Sequence, residues 1–176
     1  MSTTKWAIDP THSEIGFKVK HMMFTNVSGK FGKFDASITA DGDHFENAKI
    51  NFNGAIDSIA TGNADRDAHL LSADFFDAEK FPQIAFEGAS FIKKNEGEYT
   101  LSGELTLHGI SKTVLLPVEF GGLVKDPWGN TKAGFSIASK INRKDWGLTW
   151  NSALETGGVL VSDEVKLEIE LQFIKQ

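Results

Sequence analysis

The sequence contains no cysteine, carries less positive than negative charge and has no long apolar run. Without cysteine the chain forms neither disulfides nor thiolate metal sites, and its redox compartment stays open. The 18 lysines and arginines stand against 24 aspartates and glutamates, a formal charge of -6, which disfavours nucleic acid as a partner. No apolar run approaches the roughly 20 residues that a membrane-spanning helix needs, so we expect no integral membrane segment.

The sequence motifs of common catalytic sites are also missing. There is no G-x-S-x-G sequence, and the run from Gly29 to Lys33 lacks the spacing of a phosphate-binding loop. The five histidines, at positions 12, 21, 44, 69 and 108, show no H-x-x-x-H spacing, which argues against zinc. We therefore predict no catalytic residues, no metal and no cofactor.

The N-terminus has none of the features of a signal peptide. Residues 1–5 lead directly into the strand-like residues Trp6 to Ile8, without a basic start, an apolar stretch or a cleavage site. The sequence as written therefore predicts a cytoplasmic protein, or a periplasmic one if a signal peptide has been removed.

What the sequence has in abundance is phenylalanine, glycine and strict alternation of apolar and polar residues. Its 176 residues, with 14 Phe and 17 Gly, fit one domain, which we predict to span 1–176. Alternation with a period of two is typical of strands with one buried face. It recurs in about eight stretches, whose apolar positions are Ile15, Phe17 and Val19; Phe34, Ala36 and Ile38; Ile50 and Phe52; Ile84 and Phe86; Leu101 and Leu105; Val114, Leu116 and Val118; Phe135 and Ile137; Leu167, Ile169 and Leu171.

Closure of these strands into an antiparallel barrel removes the exposed edges that an open sheet would leave. A change of parity predicts a bulge near Gly88, and Leu107 to Ile110 predicts a tight turn. The segment from Asn63 to Ser72 lacks alternation and predicts a short helix with Asn63 as its N-cap. Two segments, 142–152 and 154–162, are predicted to be connections long enough to fold over one end of the barrel.

A barrel of about eight strands is either filled by its own side chains or holds one small ligand. Both interpretations stay open from composition alone. Glycines 54, 88 and 103 fall on inward positions where a packed barrel usually places branched side chains, and this slightly favours a lined cavity. A filled interior explains the same apolar residues as core.

Six motifs are distributed in order along most of the chain: residues 6–17 (WAIDPTHSEIGF), 27–34 (VSGKFGKF), 59–70 (IATGNADRDAHL), 74–86 (DFFDAEKFPQIAF), 103–112 (GELTLHGISK) and 141–148 (INRKDWGL). With them the sequence resembles the YceI-like family of polyisoprenoid-binding, lipocalin-like proteins. The resemblance implies an extended eight-stranded antiparallel lipocalin-like barrel with a short helix and an elongated apolar pore. It also implies a long isoprenoid ligand, quinone-like or a prenyl phosphate, a homodimer and no agreed catalytic activity.

The predicted ligand-binding residues combine inward strand positions with polar and aromatic residues of the motifs. They are Phe17, Val19, Phe34, Ile50, Phe52, Arg66, His69, Leu70, Phe76, Phe86, Leu101, Gly103, Leu105, Phe135, Ile137, Arg143, Trp146 and Trp150. Arg66 and His69, three apart on one helix face, are placed to meet an anionic head group.

Structural roles compete with these assignments. Arg66 and Arg143 could instead pair with Asp67, Asp145 or another carboxylate. This structural role is the favoured explanation for Arg143, whereas for Arg66 it and head-group binding are equally supported. Trp128, Trp146 and Trp150 form either a lid over the barrel mouth or a plug at one end. For His12 and His108, at strand ends, the expected role is a hydrogen bond to backbone.

The function predicted from these features is binding or transport of a long apolar isoprenoid lipid without catalysis. One alternative is an enzyme that modifies such a lipid, with His12, His69 or Asp67 as acid or base. The other is a stress-related structural barrel with a filled core.

Overall fold

The structure is a computed structural model that describes residues 3–151 and 160–176. Its strands are β1 (Thr3–Ile8), β2 (Glu14–His21), β3 (Thr25–Phe31), β4 (Phe34–Asp41), β5 (His44–Ala55), β6 (Ile59–Ala60), β7 (Gln83–Asn95), β8 (Glu98–Leu107), β9 (Ile110–Lys125), β10 (Thr131–Asn142) and β11 (Val161–Lys175). The helix α1 spans Ala64–Leu71, and short 3-10 turns span Pro10–His12, Ile56–Ser58 and Arg143–Trp146.

These strands form a closed antiparallel barrel with eight positions around its circumference. Both β1 and β2 pair with β11 on one side, so together they form one interrupted strand. On the other side β1 pairs with β4 and β2 pairs with β3, so β3 and β4 form a second interrupted strand. The short β6 pairs with β3 and continues the strand position of β5. Pairing of β1 with β11 closes the ring. The predicted eight-stranded antiparallel barrel with a short helix is confirmed.

Consecutive strands run up and down, so their connections alternate between two ends of the barrel. We call the end with the turns after β4, β7 and β9 the packed end. The other end carries the β2–β3 turn, α1, the β8–β9 turn and the segment that follows β10, and we call it the helix end.

Aromatic side chains fill the packed end. Trp6, Phe45, Phe91 and Phe173 are at most 2% exposed, and Phe135 is 5% exposed. The rings contact one another directly, with 5.3 Å between the centroids of Phe45 and Phe135 and 6.0 Å between those of Phe135 and Phe173. Each buried aromatic contributes about 1.5–3 kcal/mol of transfer free energy, so this cluster makes a large contribution to barrel stability.

A buried carboxylate marks the interruption between β1 and β2. Asp9 is 8% exposed and accepts hydrogen bonds from the Thr11 backbone and hydroxyl, and from Lys132 Nζ at 3.0 Å. Nδ1 of His12 lies 2.8 Å from Asp9 Oδ2, the same oxygen that accepts from Lys132. Burial by itself raises the pKa of Asp9, but these hydrogen bonds and the charge of Lys132 outweigh it and hold the pKa well below its usual value.

The local predictions for helix, bulge and turn are confirmed. Asn63 Oδ1 accepts from the Arg66 amide at 3.0 Å and caps α1. The β7–β8 register shifts between Gly88 and Ser90. His108 and Gly109 both have positive φ, 53° and 72°, in a two-residue hairpin turn. His108 Nδ1 bonds the Trp146 carbonyl at 3.1 Å as expected, but His12 bonds the Asp9 side chain instead of backbone.

The interpretation of inward glycines as open interior space is wrong. At Gly103 the position of a side chain is occupied by the ring of Phe86, and at Gly54 by Ile84 and Phe52. At Gly88 it is occupied by Ile50. Aromatic and branched side chains of neighbouring strands lean over these glycines, so the absent Cβ makes room for a ring and leaves no void.

The grouping of three tryptophans at one site is also wrong. Trp128 is 83% exposed in the turn after β9 at the packed end, and β10 separates it from Trp146 and Trp150 at the helix end. Of the predicted connection 142–152, Asn142 ends β10 and Arg143–Trp146 form a 3-10 turn. In the second, 154–162, residues 154–159 lie outside the described residues, and β11 begins at Val161.

Candidate functional site

A cavity of about 430 Å³ lies inside the helix end of the barrel. Its volume falls in the range of small-molecule sites, about 300–1,000 Å³. Its apolar lining residues are Phe17, Val19, Val27, Phe31, Leu70, Phe75, Phe76, Ile84, Leu107, Ile141, Leu148, Trp150, Leu160, Val161, Val165 and Leu167. Its polar lining residues are Lys20, His21, Thr61, Asp65, Arg66, His69 and Arg143. The lining is therefore mostly apolar and includes a small number of polar side chains.

Strand register brings the apolar wall together. Val19 is opposite Val27 on one side and Val165 on the other, and Phe17 is opposite Leu167. Cross-strand partners share one face of a sheet, so inward residues of β2, β3 and β11 form a continuous surface. The hydrophobic cluster that includes Trp6, Phe45 and Phe135 forms the packed-end core, and none of its buried residues lines this cavity. The elongated pore expected from the resemblance is thus limited to the helix end, because aromatic rings fill the rest.

Arg66 lies half-buried where α1 crosses the cavity. Its Nε donates to Thr61 Oγ1 and its Nη2 donates to the Thr61 carbonyl, both at 2.8 Å. Thr61 in turn donates its backbone N–H to Asp67 at 2.9 Å and its hydroxyl to the same carboxylate. Among residues 3–151 and 160–176, Arg66 makes no ion pair with a carboxylate. The guanidinium is thus held beside the cavity by hydrogen bonds to neutral groups, with the Asp67 carboxylate bonded to the other side of Thr61.

An aromatic cluster borders the same side of the cavity. The ring of His69 meets Trp150 edge to face at 4.8 Å and Phe75 at 5.1 Å. Trp150 and Phe75 contact each other with centroids 5.2 Å apart. His69 Nε2 lies 2.9 Å from Asp74 Oδ2, which fixes the orientation of the imidazole. Trp150 therefore packs against α1 and the segment after it, at the lining of the cavity.

Arg143 is almost completely buried, at 4% exposure, and bonds to backbone carbonyls. Its Nη1 donates to Leu148 at 2.6 Å and to Trp150 at 2.9 Å, and its Nε donates to Ser162 at 2.9 Å. Burial lowers the pKa of the guanidinium, while Asp163, 3.8 Å away, partly opposes that effect. Arg143 thus joins the segment after β10 to the start of β11 and shapes this wall of the cavity.

The structure divides the predicted ligand-binding residues into two groups. Those that line the cavity are Phe17, Val19, Arg66, His69, Leu70, Phe76, Arg143 and Trp150. Those outside its lining are Phe34, Ile50, Phe52, Phe86, Leu101, Gly103, Leu105, Phe135, Ile137 and Trp146. Most of the second group belong to the packed-end core or pack against it, and Trp146 packs with Leu107 and Leu148. Direct ligand contact stays a prediction for every residue of both groups.

Several lining residues were not predicted as ligand contacts. Val165 and Leu167 have the correct parity in the last predicted strand, and Val27 and Phe31 lie in the motif at 27–34. Their nearness to the helix end is the signal that distinguishes them from other inward residues. Thr61, which positions both Arg66 and Asp67, gives no such signal in the sequence.

Within the described parts of the chain, no group of three or more His, Asp or Glu side chains is arranged to hold a metal ion. In the same residues, the only α-helix is too short to cross a membrane.

Comparison with known proteins gives consistent results at the levels of sequence and fold. A family model described as "YceI-like domain" matches residues 6–173. The UPF0312 protein SAS2572 of Staphylococcus aureus strain MSSA476 is 36% identical over 171 residues, which cover 97% of each chain. The crystal structure of a YceI protein from Campylobacter jejuni is 34% identical, with a TM-score of 0.76 and coverage of 89% of this chain and 90% of that one.

A more distant solved structure shares the fold alone. It is a polyisoprenoid binding domain from Saccharophagus degradans, 13% identical, with a TM-score of 0.69 and coverage of 97% of this chain and 98% of that one. The family match spans nearly all of the strands that build the barrel and its cavity. The chain therefore belongs to the YceI-like family.

Proposed function

We propose that the helix-end cavity binds the tail of a long isoprenoid lipid, without catalysis. The observation that carries the proposal is an apolar cavity beside the guanidinium of Arg66, which makes no ion pair within the described residues. The distant structural neighbour described as a polyisoprenoid binding domain supports the same ligand class.

The tail of a lipid is recognised by burial of its apolar surface, whereas its head group is recognised by hydrogen bonds and charge. Each methylene buried from water contributes about 0.8 kcal/mol regardless of its chemical surroundings, so the wall responds to tail length. Selection among lipids then rests on the few polar groups, and Arg66 retains N–H donors that its two bonds to Thr61 do not use. A prenyl phosphate satisfies these donors, whereas a neutral quinone-like lipid gains only hydrogen bonds to a charged donor.

The alternatives have less support from the geometry. Within the proposed enzyme set, His12 lies outside the cavity lining and Asp67 is engaged by Thr61. His69 does line the cavity, but its nitrogen faces Asp74. A barrel with a completely filled core is at odds with the helix end, although it describes the packed end well.

Extraction of purified protein with organic solvent, followed by mass spectrometry, tests the ligand class. We expect a co-purified isoprenoid and saturable uptake of added prenyl lipids. Val19→Trp, which places an indole in the cavity, should reduce uptake, whereas Leu115→Trp, at a position 68% exposed on the outer face, should not. Empty extracts together with no saturable uptake would overturn the proposal. Product formation from a bound prenyl lipid would instead favour the enzyme.

The proposal extends to transport of the lipid by a homodimer, as the resemblance to the YceI-like family implies. Sedimentation velocity across a concentration series tests the oligomeric state. For location we propose the cytoplasm, or the periplasm after removal of a signal peptide, and cell fractionation distinguishes the two.

A further inference from the structure

The β2–β3 turn presents three large apolar side chains to solvent at the helix end. Met22, Met23 and Phe24 are 43%, 58% and 87% exposed. Consecutive exposed apolar residues are unusual in a soluble domain and often mark a contact surface. We call this trio the apolar tip.

The backbone of the apolar tip is unfavourable for the residues that it carries. Met22 and Met23 have φ of 52° and 64°, in a turn closed by a hydrogen bond from the Phe24 amide to the His21 carbonyl. Glycine or asparagine normally occupies such positions, because other residues pay a steric cost there. Fold stability therefore gives no reason for two methionines in this turn.

The apolar tip adjoins the cavity. The Met22 amide donates to the Leu160 carbonyl at 2.8 Å. Leu160, with Lys20 and His21 just before the tip, lines the cavity. A partner seated on the tip would therefore lie beside the candidate ligand site.

Charge around the tip identifies the kind of partner. Lys18 and Lys20 precede the tip on β2, and the carboxylates nearest to it across the β2–β11 pair, Asp163 and Glu164, are paired with Lys144 and Lys140. Lys18 pairs with Glu168, whereas Lys20, two residues before the tip, makes no ion pair within the described residues. An apolar tip beside a lysine without an ion-pair partner suits a bilayer with anionic headgroups, which attract Lys and accept apolar side chains beneath them.

The packed end offers a second exposed aromatic but lacks this complementarity. Trp128 is 83% exposed there, and its amide donates to Asp126, while Asp43 and Glu96 in the neighbouring turns are paired with Lys175 and Lys93. Trp128 therefore provides a control of similar exposure at the opposite end of the barrel, next to a carboxylate.

We propose that Met22, Met23 and Phe24 form a membrane-docking element that inserts into the surface of an anionic lipid bilayer next to the cavity. The proposal goes beyond ligand binding, and it is tested on protein without any added prenyl lipid. Its failure would leave the proposed function standing, and failure of lipid uptake would leave bilayer docking standing.

Vesicle flotation tests the proposal, with phosphatidylcholine vesicles that contain phosphatidylglycerol and pure phosphatidylcholine vesicles as the comparison. We expect the wild-type chain to bind the anionic vesicles, more weakly at high salt. Phe24→Ser should lower the partition coefficient about tenfold, as expected for loss of one buried aromatic. Trp128→Ser should leave it unchanged.

A second variant separates docking from folding. Met22→Asn combined with Met23→Gly suits the positive φ values and should keep or raise the melting temperature, yet it should also lower vesicle binding. Absence of wild-type binding to anionic vesicles, or an equal loss in Phe24→Ser and Trp128→Ser, overturns the proposal. Loss of self-association in the tip variants, without any vesicle binding by the wild type, would assign the tip to a contact between copies.

Discussion

At the scale of single residues, the interior is organised by rings that lie over glycines. Phe17 covers Gly29 across the β2–β3 pair, and Phe86 covers Gly103 across the β7–β8 pair. A glycine without a Cβ lets an aromatic side chain lie flat against a neighbouring strand, which restores packing that glycine alone would lose.

Gly103→Ala tests this arrangement. The new Cβ would meet the ring of Phe86 and, at 2.5 Å, the Glu87 carbonyl oxygen, so we expect the free energy of unfolding to fall by about 1–3 kcal/mol. Gly134→Ala, where no atom lies within 4 Å of the added Cβ, is the matched control and should be neutral or slightly stabilising. Equal effects of the two substitutions in urea denaturation would contradict the covering role of Phe86.

Arg66 carries the prediction for head-group recognition. Arg66→Gln should weaken binding of a phosphorylated prenyl lipid by roughly 1.5–3 kcal/mol, because it removes charge-assisted hydrogen bonds. Binding of a neutral prenyl compound with the same tail should change little. Fluorescence titration measures both affinities.

The control for Arg66 is Lys112→Gln, which removes one positive charge outside the cavity lining. It should leave both affinities near the wild-type values. An equal loss of the charged and neutral ligands in Arg66→Gln, with a lower melting temperature, would show that Arg66 acts only by fixing Thr61 to α1.

At the scale of elements, the interruption between β1 and β2 depends on the ionised form of Asp9. Its pKa is lower in the folded protein than the value near 3.9 expected for the unfolded chain. The folded state therefore binds fewer protons, and the stability contributed by Asp9 is present above about pH 4 and lost as the pH falls below it. Wild-type stability should decline across this range.

Asp9→Asn removes both this pH dependence and the ion pair with Lys132. At neutral pH we expect a loss of about 1.5–3 kcal/mol, as for a hydrogen bond with a charged partner. As the pH falls below about 4, the variant and wild type should converge. Urea denaturation at several pH values measures the difference, and a constant gap at all pH values would contradict the role of the carboxylate.

Element identity was largely predictable from the sequence, whereas depth within the barrel was not. Alternation places Phe17 and Phe135 equally on inward faces, but one lines the cavity and the other lies in the packed-end core. The difference arises from the level that each occupies along the barrel axis, which depends on register between distant strands. The cap at Asn63 depends on residues within one turn, so it was predictable.

The role of Thr61 shows the same limit for the site. Its backbone and hydroxyl connect Arg66 with Asp67 through hydrogen bonds that depend on how β6 enters α1. No residue pattern encodes that geometry, so the sequence left Arg66 with two equal interpretations. Contacts of this kind need three-dimensional coordinates.

At the scale of the whole molecule, the barrel has an aromatic core at one end and the cavity proposed to bind lipid at the other. Phe135→Ala at the packed end should lower the free energy of unfolding by about 3–5 kcal/mol, the usual cost of removing a buried aromatic. Phe17→Ala removes a ring that is only partly buried and lines the cavity, so a smaller loss is expected. Its main effect should be altered affinity for prenyl lipids.

Chemical denaturation and lipid titration on the same two variants measure this division. A folded Phe135→Ala protein should keep near-wild-type lipid affinity per folded molecule. If Phe135→Ala changed lipid affinity as much as Phe17→Ala does, the two ends would not be independent.

Closure of the barrel by β1 and β11 has a practical consequence for handling the protein. The Gln176 amide bonds the Lys5 carbonyl at 2.9 Å, and Trp6 is paired with Lys175. The start of β1 and the end of β11 therefore lie side by side at the packed end, opposite the cavity. A surface anchor, affinity tag or fused reporter attached at either strand end would hold the molecule with its cavity turned away from the support.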